Sequence, residues 1–192
     1  MIIAVSIING IPQDLFDGKP LVGNNHKQLQ EVPTQIQEGV MTTKQKVHSK
    51  LFKSNRYSTG RRILDLVSKR SDLELEGPIS DVIRLPHIPL GEILTTLKCK
   101  VDVVVIGTVK SKSSHLMESE TFVFTDYEVV IDDILKNNTL APIQQGNNIT
   151  ITRAGGAVSL RGHIVRAIDK EVSRLQLGER YLLYCSSRLL SR

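Results

Sequence analysis

Val-Asp-Val-Val-Val-Ile-Gly-Thr-Val at 101–109, Thr-Phe-Val-Phe-Thr-Asp-Tyr-Glu-Val-Val-Ile at 121–131 and Asn-Ile-Thr-Ile-Thr-Arg at 148–153 decide the fold. Each run is rich in β-branched or aromatic residues, is bounded by Gly, Asn, Ser or Pro, and is too short for a helix of that composition; all three predict strands. In the first, only Asp102 and Thr108 interrupt the apolar run, which predicts cover on both faces. Gly107 falls where a barrel strand bends or admits a neighbouring backbone closely. The second alternates, placing Val123, Tyr127, Val129 and Ile131 on one face and Asp126, Glu128 and Asp132 on the other. It is long, as a strand serving two sheets at the corner of a small barrel must be. In the third, Ile149 and Ile151 point inward and Thr150 and Thr152 outward.

Toward the C-terminus, 110–120 reads as a polar loop carrying Ser-Lys-Ser-Ser and His115, and 134–138 as a turn. Gly155-Gly156 supplies a tight turn, and Arg161-Gly162 a two-residue hairpin turn between 157–160 and 163–165. The last strand comes from Tyr181-Leu-Leu-Tyr-Cys185 after a Gly178-Glu179 turn, and the few residues beyond it offer nothing to close a barrel. Toward the N-terminus, Gly77-Pro78, Pro86 and Pro89 mark a boundary, followed by a short helix at 90–97. Before it, Ile63, Leu64, Leu66 and Val67 share one face of a basic amphipathic helix near 61–70, a surface helix or one that contacts an anionic partner. Residues 12–46 lack any period and read as loop or disordered arm. The apolar stretch 2–11 has no basic residue before it and no small-residue cleavage site after it, and reads as a short strand, a disordered tail or the remnant of an export signal. It is too short to span a membrane, so no transmembrane segment is predicted. The organisation predicted is an arm at 1–76, a linker with a short helix at 77–97, and a mainly β unit, a small barrel, at 98–192.

Of the 192 residues 40% are hydrophobic but only 4% aromatic, with no Trp, so the core must be built from Val, Ile and Leu. The net charge of +5 is unevenly spread. Basic residues dominate 44–70, acidic ones 118–133, and basic ones again from Arg153 onward, a pattern that neighbouring strands can pair across a sheet. Two cysteines, Cys99 and Cys185, exclude a disulfide-dense scaffold and a four-cysteine zinc site. They are either bridged across the two ends of the barrel or two buried thiols.

Val-Val-Val-Ile-Gly-Thr-Val, Thr-Phe-Val-Phe-Thr-Asp-Tyr-Glu-Val, Ile-Leu-Lys-Asn-Asn, Ile-Thr-Ile-Thr-Arg with Gly155-Gly156, and Gly178-Glu-Arg-Tyr-Leu-Leu together resemble an uncharacterised family of bacterial proteins, commonly with export signals. More distantly, the order of strands and turns resembles the OB-type barrel of netrin and tissue-inhibitor-of-metalloproteinase modules. The resemblance implies an OB-like β-barrel preceded by a partly helical or disordered N-terminal region, in a secreted or periplasmic protein. Two departures stand out. The chain stops soon after the Tyr-Leu-Leu strand, where such proteins continue, which reads as truncation; and Cys99 is internal, so the inhibitors' N-terminal cysteine chemistry does not carry over.

No Gly-x-Ser-x-Gly elbow, His-Glu-x-x-His motif, Cys-x-x-Cys pair or phosphate loop is present. His26, His48, His87, His115 and His163 fall on separate predicted elements and read as ordinary surface residues. Asp132 and Asp133 point to opposite faces of a strand. Ser111, Lys112, Ser113 and Ser114, in a flexible loop, would leave the lysine at its ordinary pKa and unsuited to activate a serine. The expectation is therefore a non-enzymatic barrel that binds a partner, expected to be a protein, with no catalytic residue, metal or cofactor. A single-stranded nucleic-acid-binding barrel is the main alternative, on account of Phe122, Phe124 and Tyr127, although Asp126 and Glu128 would repel phosphate. A protease-inhibitor-like module is the other.

Overall fold

The computed structural model describes residues 2–7, 33–35, 41–50, 62–67, 73–77, 101–139, 142–169 and 174–186. Its spine is a pair of fourteen-residue antiparallel strands, β4 (Val103–Leu116) and β5 (Val123–Lys136). The remaining elements are β1 (Ile2–Ile7), β2 (Thr34–Gln35), α1 (Thr43–Ser49), α2 (Ile63–Val67), β3 (Leu73–Gly77), β6 (Asn148–Ala154), β7 (Gly156–Leu160), β8 (His163–Asp169) and β9 (Arg180–Ser186). The protein is mainly β.

Five strands, in the order β1-β6-β5-β4-β9, close into a barrel. β4, β5 and β6 form an antiparallel meander, and β9 pairs antiparallel with β4. β1 completes the ring, antiparallel to β9 through Ala4 to Ile7 and parallel to β6 at Ile2 and Ile3. The closing strand thus comes from the N-terminal stretch, one of the readings that its apolar pattern allowed, and the expected division between arm and barrel is crossed by the chain itself. Alternation puts Val103, Val105, Val109, Tyr127, Val129, Ile131, Ile149, Ile151, Leu183 and Cys185 inside the barrel, where Leu175 joins them.

Three register shifts bend β4 against β5, between Val104 and Val105, Ile106 and Gly107, and Val109 and Ser111. A Cβ on Gly107 would stand 2.6 Å from Val129 Cγ1 and 2.9 Å from the Val130 carbonyl oxygen, so glycine is what allows β5 to approach here. Beyond the bend β4 does not become a loop. Lys110 to Leu116 continue as strand, and only the short connection around Met117 to Phe122 turns the chain. The Ser-Lys-Ser-Ser run has weak strand propensity, but β5 offers it a full cross-strand partner, and pairing overrides propensity. Likewise β5 runs on to Lys136 through the turn expected at 134–138.

The far halves of β4 and β5 carry a second core. Leu116, Met117, Phe122, Val123 and Phe124 pack with Ile63, Leu64 and Val67 of α2 and with Leu73, Val158, Leu160, Val165 and Ala167 of a second sheet, ordered β2-β7-β8-β3. The apolar face of α2 is the one its sequence periodicity predicts, although of the 61–70 span the structure describes only residues 62–67, with the helix over Ile63–Val67. β7 and β8 form the predicted hairpin, with φ of 51° at Arg161 and 79° at Gly162, the two positive values that a tight primed turn requires. Gly155-Gly156, in contrast, is a corner at which the chain leaves the barrel for the second sheet, with the Gly155 N–H donating to the Val123 carbonyl. Of the 77–97 linker only Gly77 is described, as the last residue of β3; the helix predicted at 90–97, the rest of the linker and Cys99 lie outside the described residues.

Replacing Gly107 by Ala should destabilise the protein by about 1–3 kcal/mol, since backbone as well as side chain blocks the added methyl. A urea midpoint unchanged from that of the parent would show that the bend tolerates a side chain.

Candidate functional site

Thr42-Thr43-Lys44-Gln45 starts α1 with a capping box. The Thr42 hydroxyl accepts from the Gln45 N–H at 3.2 Å, and Gln45 Oε1 accepts from the Thr42 N–H at 2.8 Å. The structure corrects the loop expected over 12–46 at its end, where residues 43–46 begin this helix; a seven-residue helix leaves no sustained period. Its signal was the Thr-x-x-Gln box. So short a helix is marginal in water on its own, so tertiary contacts must hold it.

Its hydrogen bonds to the rest of the molecule include Ser49 Oγ accepting from the Glu118 N–H at 3.3 Å and a set on the outer face of β5 and β6. Asp126 pairs across the strands with Thr152, and Glu128 with Thr150, giving two carboxylate–hydroxyl rungs side by side. Each hydroxyl donates to its carboxylate, Thr152 to Asp126 at 2.6 Å and Thr150 to Glu128 at 2.9 Å. Each rung also takes one side chain from α1. Lys44 Nζ donates to Glu128 at 2.7 Å and to Thr150 at 2.9 Å, and His48 Nδ1 donates to both oxygens of Asp126, at 2.9 and 2.8 Å. The spacing explains the match: four helical residues rise about 6 Å and two strand residues advance about 7 Å, so Lys44 and His48 fall on successive rungs.

A second histidine reaches the same carboxylate. His115 of β4 has its Nε2 3.6 Å from Asp126 Oδ2, and its Nδ1 accepts from Gln45 Nε2 at 2.5 Å. Relative exposures of 3% for His48, 6% for Asp126 and 9% for His115 separate this trio from the outer rung, where the Lys44 and Glu128 side chains are 52% and 35% exposed. Burial depresses the His115 pKa, as do the charges of His48 and Lys44, against the opposing pull of Asp126. Burial also pushes the Glu128 carboxyl upward, but Lys44 and Thr150 outweigh it and hold the group below its ordinary value.

The trio does not form a nucleophilic relay. Asp126 and Thr152 both address Nδ1 of His48, whereas a relay needs the carboxylate on one ring nitrogen and the hydroxyl on the other. Among the described residues no group of three or more His, Cys, Asp or Glu is arranged to hold a metal ion. What the arrangement can do is bind donors.

The histidines read as separate surface residues divide accordingly. His48 and His115 are buried and meet at Asp126, His163 lies on β8, and His26 and His87 fall outside the described residues. Asp132 accepts from the Thr108 hydroxyl at 2.6 Å and lies 3.4 Å from Arg180, while Asp133 accepts from the N–H of Ile134, so the two do not share a site. Ser111, Lys112 and Ser113 alternate along β4 rather than clustering in a loop, and burial lowers the Lys112 pKa from its ordinary value, contrary to the loop reading. Its serine neighbours on the strand point to the opposite face. Cys185 is a free thiol in the barrel core, and burial pushes it up to about 12. Its prospective partner Cys99 is not among the described residues. Phe122 and Phe124 are buried in the second core, and Tyr127 in the barrel.

No family model, curated protein or solved structure matches the chain. No helix among the described residues is long and apolar enough to cross a membrane.

The two rungs should differ in energetic weight. Asp126→Ala strands buried partners and should cost about 3–5 kcal/mol, lowering Tm by roughly 6–20 °C for a chain of this size. Glu128→Gln, at a half-exposed pair, should cost less than about 1 kcal/mol. Scanning calorimetry showing equal losses would refute the distinction.

Proposed function

We propose that this chain is a non-enzymatic binding module on an OB-like barrel, that its binding face is the outer surface of β5 and β6, and that its ligand is a cationic helical segment of a protein. The observation that carries the reading is the pair of carboxylate–hydroxyl rungs, already filled by Lys44 and His48 at i, i+4 spacing. Charge and period both fit a short basic helix. They do not fit a flat apolar partner, and they disfavour a phosphate backbone.

The OB-like reading is supported by strand order. An OB barrel has an antiparallel meander of three strands, a fourth that pairs with the first, and a fifth that closes parallel to the third and antiparallel to the fourth. In space β4, β5, β6 and β9 take the first four places and β1 the fifth, although β1 comes first in the chain rather than last, with the β7–β8 hairpin as the excursion between third and fourth. The face on the second and third strands is where such barrels bind their ligands, and it is the face that α1 covers. The nucleic-acid alternative is disfavoured because Phe122, Phe124 and Tyr127, the aromatics it would stack on, are 2%, 0% and 3% exposed, and carboxylates occupy the outer face of β5.

The test is a full-length Lys44→Glu/His48→Glu variant, which repels its own α1 from the rungs, titrated with a labelled peptide of residues 41–50. Binding with Kd on the order of 100 μM is expected for so short a helix that must order on docking. The same peptide with Glu at the positions of Lys44 and His48 should not bind. Equal binding of the two peptides, or none by either, would sink the reading; tight and steeply salt-dependent binding of oligothymidylate instead would favour the nucleic-acid alternative.

A further inference from the structure

We propose that α1 is an acid-released internal plug, which covers the β5/β6 face at neutral pH and uncovers it when His115 takes up a proton. This rests on the reading of that face as the binding face and assigns its regulation.

The argument starts from Gln45, whose single amide serves two partners. Its oxygen accepts from the Thr42 N–H and closes the capping box, while its nitrogen donates to Nδ1 of His115. His115 must therefore carry its one proton on Nε2, the nitrogen that faces Asp126. A second proton would have to enter at Nδ1, where it meets the amide NH2, donor against donor. Turning the amide over gives His115 an acceptor but sets the NH2 against the Thr42 N–H, which breaks the cap. Protonation thus costs α1 a hydrogen bond whichever way the amide lies. The helix has only seven residues to absorb that loss.

The groups facing His115 set the direction. From α1 come His48 and Lys44, both opposing a positive charge; from β5 comes Asp126, favouring it, together with the Phe124 ring at a centroid distance of 5.3 Å. Burial is the largest influence and opposes the charge, so His115 titrates below the 6.5 of a free histidine. A group whose pKa is lower in the docked state binds fewer protons there than after release. Docking is therefore at full strength above pH 6.5 and weakens as pH falls below that value. The outer rung does not share this window, because Glu128 is held below its ordinary 4.5 and keeps its pairing with Lys44 until the solution is more acidic still.

The experiment is hydrogen exchange on the full chain at about pH 7.5 and about pH 5, corrected for intrinsic rates. Protection over Lys44 to Lys50 should fall on the order of tenfold in acid while Val129 to Ile131 and Ile149 to Ile151 keep theirs, and His115→Gln should remove most of the difference. Unchanged protection of α1, an acid response that survives in His115→Gln, or a parallel loss across the barrel strands would each overturn the proposal. The peptide titration above fails separately: if α1 lifts in acid yet the peptide never binds, the plug stands as a structural latch and the binding function falls.

Discussion

The antiparallel ladder between β4 and β5 is the constraint from which the other parts of the molecule take their places. One half of it supplies side chains to the barrel, Val103, Val105 and Val109 from β4 and Val129 and Ile131 from β5; the other half supplies Leu116, Val123 and Phe124 to the core beneath α2 and the second sheet. Because successive side chains point to opposite faces, a slip of one residue along the barrel half of β5 would exchange Tyr127 and Val129 for Asp126 and Glu128. Register shifts at Gly107 and its neighbours let a single pair of strands belong to a curved barrel at one end and a layered core at the other.

That division also explains which parts of the fold the sequence discloses. Inward residues of β5 and β6, the Arg161-Gly162 turn, the apolar face of α2 and the place of Cys185 in the last strand all follow from period, turn chemistry and composition. The second half of β4 does not. Lys110 to Ser114 carry no strand signal, and only the presence of β5 alongside makes them one. Closure by β1 is hidden for a related reason: nothing local in Ile2 to Ile7 says that its neighbours are β6 and β9, because the distance along the chain carries no period to read.

The candidate site shows the same split more sharply. Alternation alone places Asp126 and Glu128 outward on one strand and Thr150 and Thr152 outward on another, so the residues of both rungs were legible, but not the register that pairs them. What covers them was not. Lys44 and His48 sit in a helix of fewer than two full turns that begins inside the stretch whose composition reads as loop, and His115 lies in a segment expected to be one. The Thr42 to Gln45 capping box was the one local clue, and it reports where a helix begins without saying what it lies against.

A polar seat of this kind is an unusual way to hold a helix if stability were all that mattered. A buried charged or hydrogen-bonded group often contributes no more than an apolar side chain of similar shape, because desolvation offsets most of the gain. An apolar α1 would dock in any of several rotations, whereas two rungs each demanding a donor at a fixed spacing admit one. The bonds also make docking conditional. An apolar contact is indifferent to a proton, but a carboxylate shared by two histidines, with an amide that cannot satisfy both of its neighbours once one of them is protonated, has two states of different charge. The geometry that makes α1 specific for its face is therefore the same geometry that allows it to leave.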